Sequence, residues 1–380
     1  MFSSTTRGVA AAAGLALATA SLAACSPSSS AHGLAVVATT TQICDYVTQI
    51  AAKSADISLD KTDAAGKSSH VGAQKDGAAL SMSLTCLLAP NASAHEHEMT
   101  PAQTSALAQA DVMAVSGVDL EHFLDDAVVS SGFKGRMVVT SGVLTAADID
   151  NPGTPDPEGP YTIDRGSERV DVAPWPFPPE EAGEEPEFRF DPHVWTSPKG
   201  TRVQVANLGA GLAAAAPDAA SSINAATASY LEDIDALDQW TAEAIKTVPE
   251  GQRVLFTSHD AFGYFSADYG IRFIGAALTD FNDQQDATAD HIASAVQAVK
   301  DSGAVALFAE NSNNSKSIEA IARGAGVTPI VGDDALYGDS LGPEGSAGAT
   351  YVGSIIHNVR TLTDAWGGTV PVLPDRLAGQ

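Results

Sequence analysis

From residue 35 to residue 366, short apolar runs alternate with longer stretches whose apolar residues recur at helical spacing. The runs 35–40, 82–88, 111–116 and 136–140 read as buried strands, and the intervals 42–52, 101–110 and 122–130 as helices. After residue 250 the rhythm returns, with strands at 253–257, 272–275, 304–309 and 328–331 and helices at 261–269, 289–302, 317–325 and 351–365. Strands alternating with helices imply βαβ units and parallel sheets. The expected fold class is therefore α/β: two lobes, each a four-stranded parallel sheet flanked by helices.

Two helices join the halves. Pro198 and Lys199 open the first, and Pro217 fits the first turn of the second, which runs to about residue 248. In that second helix Ile223, Ala226, Tyr230, Ile234, Leu237 and Ile245 keep a helical spacing. Some thirty residues of helix span roughly 45 Å, long enough to run the length of two lobes. Pro249-Glu250-Gly251 stops it. A faint repeat supports two lobes of like build: Val36-Val37-Ala38-Thr39-Thr40-Thr41 and Tyr46 match Val254-Leu255-Phe256-Thr257-Ser258-His259 and Tyr264.

Two intervals break the rhythm. Residues 60–78, rich in Gly, Ser, Lys and Asp, read as a flexible loop. From Asp148 to Pro192 the chain holds ten of its 20 prolines and thirteen acidic residues against three basic ones, a composition that argues against a regular core element. A loop of that length inside a compact domain is functional or disordered. A cation-attracting flap, a partner-docking surface and a solvated insertion are the readings it leaves open.

At 380 residues the chain exceeds one comfortable core, which favours two domains. A net charge of −27 excludes nucleic acid as a natural partner, because phosphate binding needs Lys and Arg in excess. Residues 1–24 read as a signal peptide, with Arg7 before a short apolar run. Leu22-Ala23-Ala24-Cys25 resembles a bacterial lipobox, so Cys25 is the expected lipidation site and residues 25–34 a tether; the alternative is a plain secretory signal. With Cys25 lipidated, Cys44 and Cys86 remain to form a disulfide outside the cytoplasm, or to stay as two buried thiols. The expected organisation is then a first lobe over 35–200 carrying the 148–190 insertion, helices over 201–250 with the linking helix at 217–248, and a second lobe over 251–380.

Among nine histidines, His95 follows the second strand, His193 follows the acidic loop and His259 directly follows the first strand of the second half. Asp339 lies in the Gly-rich loop after the last strand. All four sit where chain leaves the carboxyl ends of parallel strands, the ligand-binding edge of open α/β sheets. Three neutral imidazoles and one carboxylate make a four-coordinate shell suited to Zn²⁺. A single His after a strand is more often a hydrogen-bonded surface residue than a ligand. His32, His70, His122, His291 and His357 are read as structural or surface residues. Glu310 is either a partner of a ligand imidazole or a surface carboxylate, and stays outside the ligand set.

The local motifs add a family. His95-Glu96-His97-Glu98-Met99-Thr100-Pro101, Asp191-Pro192-His193-Val194-Trp195, Thr257-Ser258-His259-Asp260-Ala261-Phe262-Gly263-Tyr264 and Leu336-Tyr337-Gly338-Asp339-Ser340-Leu341 resemble the four ligand motifs of the ZnuA-like zinc and manganese receptors of ABC importers (solute-binding protein family 9). The resemblance implies a non-enzymatic lipoprotein on the outer face of the bacterial cell membrane, monomeric, holding metal with His95, His193, His259 and Asp339 between its lobes. It also implies delivery to a membrane permease, with a metallochaperone as an optional loading partner. Manganese-selective members tend to carry Glu where His259 stands, which favours Zn²⁺ and leaves Mn²⁺ as the alternative. The first motif departs from the family pattern, with Ser93-Ala94 before His95 and His97 where an aromatic is usual, so His97 is a rival or accessory ligand. A zinc enzyme is disfavoured by a four-ligand shell and the lack of an H-E-x-x-H motif. A zinc-dependent adhesion protein is the remaining alternative, and it predicts unfolding on metal removal.

Overall fold

The structure, a computed structural model, describes residues 33–95, 97–153, 156, 159–175, 188–277 and 289–379. The signal segment and Cys25 lie outside the described residues.

The first half opens with Leu34–Ala38 (β1) and Thr41–Ala52 (α1). Ile57–Thr62 (β2), Ser68–Gly72 (β3) and Leu80–Cys86 (β4) follow, then Pro101–Ala108 (α2), Val112–Val115 (β5), Leu124–Ser131 (α3) and Arg136–Val139 (β6). Ala146–Asp150 (α4) and Thr162–Asp164 (β7) complete it. Its sheet has the order β3-β2-β4-β1-β5-β6-β7, and only the β2–β3 pair is antiparallel. The four expected strands form its centre: Val36, Val112 and Met137 are each no more than 2% exposed, as strands covered on both faces require.

The sheet is wider than four strands because two polar intervals fold. Residues 60–78, expected to be loop, contribute the β2–β3 hairpin. Ile57 and Leu59 are buried on β2, while β3 is a polar, exposed edge strand that keeps the sheet from pairing with other chains. Asp63 makes the turn, its side chain accepting from the amides of Ala65 and Lys67 at 3.0 and 2.9 Å. Within 148–190, β7 pairs in parallel with β6. Arg165 grips Asp148 through Nε and Nη2, both at 2.9 Å, and Arg189 pairs with Asp150. Counter-charges supply the order that apolar content does not.

Pro198–Ala215 (α5) and Ala220–Thr247 (α6) link the halves, with a 3₁₀ turn at Pro217–Ala219 between them. The 28 residues of α6 extend about 42 Å. The second half comprises Val254–Thr257 (β8), Gly263–Tyr269 (α7), Arg272–Ala276 (β9), Ala289–Ser302 (α8), Ala306–Phe308 (β10), Lys316–Ala325 (α9), Thr328–Ile330 (β11) and Tyr351–Ala365 (α10). Its sheet runs β11-β10-β8-β9, all parallel. The largest apolar core joins the halves: Val36 and Tyr46 from the first, Ile234 and Trp240 from α6, and Leu255 and Phe308 from the second belong to one cluster. Each half also has an apolar cluster of its own. The linking helix is thus packed on both sides, so it acts as a wall rather than a tether.

Candidate metal centre

Crossover connections place the four candidate ligands. His95 lies in the passage from β4 to β5, which crosses from one side of β1 to the other. His259 leaves β8, the strand flanked by β10 and β9, where the order of the second sheet reverses; such switch points open a crevice at the carboxyl edge. His193 follows the acidic segment just before α5, and Asp339 lies between β11 and α10.

All four side chains are buried, His193 at 0% exposure and the others at 5% or less. One donor atom from each falls within 4.8 Å of every other. His95 Nε2 lies 3.1 Å from His193 Nε2 and 3.5 Å from Asp339 Oδ2. His193 Nε2 and His259 Nδ1 each stand 3.6 Å from Asp339 Oδ1. Tetrahedral ligands about 2.0–2.1 Å from a zinc ion lie roughly 3.3 Å apart. The separations given, 3.1 to 3.6 Å, are close to that edge, and the whole set of four lies within 4.8 Å, compact enough to converge on one ion.

Electrostatics prepare the nitrogens. Burial holds the His193 imidazole down to about 3, against the pull of Asp339. Burial, with His193 and His259 close by, also keeps His95 well below the ordinary histidine value. Both rings thus offer lone pairs near neutral pH, as metal ligation requires. His259 goes the other way: burial lowers it, but Asp339, Glu310 and Asp260 together raise it well above its ordinary value.

The candidate ligands are held by their surroundings. Asp191 Oδ1 accepts the His193 backbone amide at 2.9 Å and faces its Nδ1 at 2.8 Å, which aims Nε2 at the cluster. Burial pushes the Asp191 carboxyl up to about 7, its bond from His193 opposing the shift. Asp339 belongs to the second half by sequence but is tethered to the first. Ser93 Oγ donates to its Oδ2 at 2.8 Å, Gln42 Nε2 to its carbonyl at 3.0 Å, and Trp195 Nε1 to the Gly338 carbonyl at 3.0 Å. The Leu341 amide in turn donates to Thr41 Oγ1 at 2.9 Å. So Asp339, from the second half by sequence, is held from the first, while the His259 backbone is held by Glu310 and Thr257 of the second.

The ends of the acidic segment cover the cluster. Pro174 and Phe190 form an antiparallel bridge, and the Trp175 amide donates to the Arg189 carbonyl at 3.1 Å. That pairing lays Phe188 5.5 Å from the His95 ring and Trp175 6.1 Å from the His193 ring, centroid to centroid. Tyr264 of the second half fastens it, accepting from the Ala173 amide at 3.1 Å and donating to the Asp191 carbonyl at 2.8 Å. His97 stands apart from the cluster, edge-on to Phe123 at 5.0 Å. Cys44 and Cys86 are joined by a disulfide.

A family model described as ZnuA, zinc-uptake complex component A periplasmic, matches residues 77–365. The chain belongs to the ZnuA family. Among its relatives, the manganese-binding lipoprotein MntA of Bacillus subtilis is 30% identical over 321 residues, 84% of this chain and 93% of that protein. The zinc-binding protein TroA of Treponema pallidum is 32% identical over 47% of this chain and 58% of its own length. A solved structure of periplasmic TroA from Treponema pallidum matches the fold with a TM-score of 0.62 at 23% identity, covering 88% of this chain and 99% of that one. It carries the same arrangement of two α/β lobes and a long helix.

Residues left out of the ligand set by sequence reasoning prove to shape the site. Asp191, two positions before His193, carries a readable signal, since a carboxylate that close can orient an imidazole. Ser93, Trp195 and Tyr264 act through hydrogen bonds between distant segments, which no local pattern announces.

Proposed function

We propose that this protein is an extracytoplasmic receptor of an ABC importer, lipid-anchored through Cys25, which captures Zn²⁺ with His95, His193, His259 and Asp339 and presents it to a membrane permease. The observation that carries the reading is the buried cluster of three imidazoles and one carboxylate whose donor atoms lie within 4.8 Å of one another. Catalytic zinc keeps a position open for water; here four protein donors gather, enough for a four-coordinate shell. A metal that must be released again is cargo, which suits a site split between two halves of a chain. The core shared by both halves supports an apo form that stays folded, against the adhesion reading.

Zinc is favoured by the donor set: nitrogen-rich sites bind Zn²⁺ more tightly than Mn²⁺, and His259 supplies the third nitrogen. Manganese is the second reading, favoured by the likeness to the manganese-binding lipoprotein of Bacillus subtilis. Competition titration of chelator-stripped protein decides between them. One equivalent of Zn²⁺ that displaces Mn²⁺ is expected; Mn²⁺ displacing Zn²⁺ would make this a manganese receptor, and absence of binding by either would end the receptor reading.

A further inference from the structure

Glu310 ends the strand segment after β10 and is 1% exposed. It touches the turns that carry both ligands contributed by the second half. Its Oε1 accepts the backbone amide of His259 at 2.9 Å, and its own amide donates to Ser258 Oγ at 3.2 Å. Its Oε2 lies 3.8 Å from His259 Nδ1. On the other side it bridges to Leu336, where the Asp339 loop leaves the sheet. Oε2 also packs so closely on Gly338 that a Cβ there would come within 2.0 Å of it. Glycine at 338 is what lets a buried carboxylate sit between the two ligand turns.

A buried carboxylate is costly unless hydrogen bonds hold it, so its placement needs a reason. Asp191 orients His193, and Ser93, Gln42 and Trp195 hold the Asp339 loop. At His259 the backbone is fixed by Glu310 and by Thr257, whose hydroxyl donates to the His259 carbonyl. From this geometry we infer that Glu310 is a positioning residue for metal binding, setting the His259 turn at ligand distance from the Asp339 loop without itself being a ligand. Losing such an outer partner costs metal affinity about 10–100-fold.

The role rests on the receptor reading, and the test separates the two. Zn²⁺ affinity is measured by chelator competition for wild type, Glu310→Gln, Glu310→Asp and Glu310→Ala, each also in a His259→Ala background. Glutamine keeps the acceptor for the His259 amide, so affinity stays within about threefold of wild type. Aspartate, shorter by one methylene, and alanine cannot reach that amide; both weaken binding about 10–100-fold. The aspartate variant retains a carboxylate in the core and serves if the alanine variant does not fold. With His259 already removed, the same changes have little further effect, because the brace then has nothing to position. The visible spectrum of the Co²⁺-loaded aspartate variant shifts, while that of the glutamine variant matches wild type. Equal losses with and without His259, or a glutamine variant as weak as alanine, would overturn the inference. Normal wild-type binding with no loss in any variant refutes Glu310 alone, whereas a wild type that takes up no metal refutes the receptor reading and the positioning role together.

Discussion

The turn after β1 and the turn after β8 are the same strand–turn–helix unit put to different uses. In the first, every hydroxyl is spent on structure. Thr39 Oγ1 donates to the buried Glu121 at 2.7 Å, Thr40 caps α1 by accepting the Ile43 amide at 3.1 Å, and Thr41 accepts the Leu341 amide. Glu121 is saturated as well, taking the amides of Ser116 at 2.6 Å and Gly117 at 3.1 Å. In the second turn His259 stands where Thr41 stands, α7 starts without a side-chain cap and runs for 7 residues against 12 in α1. The carboxylate there, Glu310, braces a ligand instead of a closed network. The second turn thus carries a candidate ligand where the first carries a hydroxyl bonded to its surroundings.

The sharpest test of that contrast is His259→Ala against Thr40→Ala. Removing the imidazole deletes a donor as well as its geometry, so Zn²⁺ affinity falls on the order of 1,000-fold, about 4 kcal/mol. Removing the cap costs about 1 kcal/mol of apo stability and leaves affinity within about twofold, since Thr40 touches no ligand. Chelator competition and thermal melting of the apo proteins read the two effects. Full-affinity binding by His259→Ala would show that the second turn is scaffold like the first.

The covalent staple lies on the scaffold side too. The Cys44–Cys86 disulfide ties α1 to the end of β4, 42 residues away, while the second half contains no cysteine. Replacing both by Ala should lower stability by about 2–4 kcal/mol with Zn²⁺ affinity unchanged. A tenfold loss of affinity would mean that the staple also tunes the site.

Sequence patterning reached most of this. The eight strands drawn from apolar runs all exist, including the half-exposed edge strands β9 and β11, and α10 occupies the expected 351–365. Strand β3 escaped because an edge strand facing water has no apolar signature, and β2 because its apolar residues, Ile57 and Leu59, give way to a polar second half. Strand β7 escaped because Arg–Asp pairs, not apolar residues, order its surroundings. The four candidate ligands were legible through local motifs, of which those around His193 and His259 are the specific ones while that around His95 departs from the family pattern. What patterning could not show is anchoring: that Ser93, Gln42 and Trp195 reach across to hold the Asp339 loop is a property of packed geometry between segments more than a hundred residues apart.

The smallest effect separates the two tyrosines of the repeat. Tyr46 reaches into α5, its hydroxyl 3.0 Å from Thr201 Oγ1 and 3.3 Å from Gln204 Oε1. Tyr264 instead joins Ala173 and Asp191, the strands that lay Phe188 and Trp175 beside the ligand rings. Replacing either by Phe removes a buried hydrogen bond worth about 1 kcal/mol. For Tyr46→Phe that loss falls on folding alone, as a lower melting temperature with the metal dissociation rate unchanged. For Tyr264→Phe it loosens the cover and the carboxylate that orients His193, so dissociation quickens about fivefold, the rate change that 1 kcal/mol gives when binding differences reside in release. Stopped-flow transfer of Zn²⁺ to excess chelator measures both rates. Equal rates in the two variants would place Tyr264 with the scaffold and leave His259 as the only function-bearing residue of its turn.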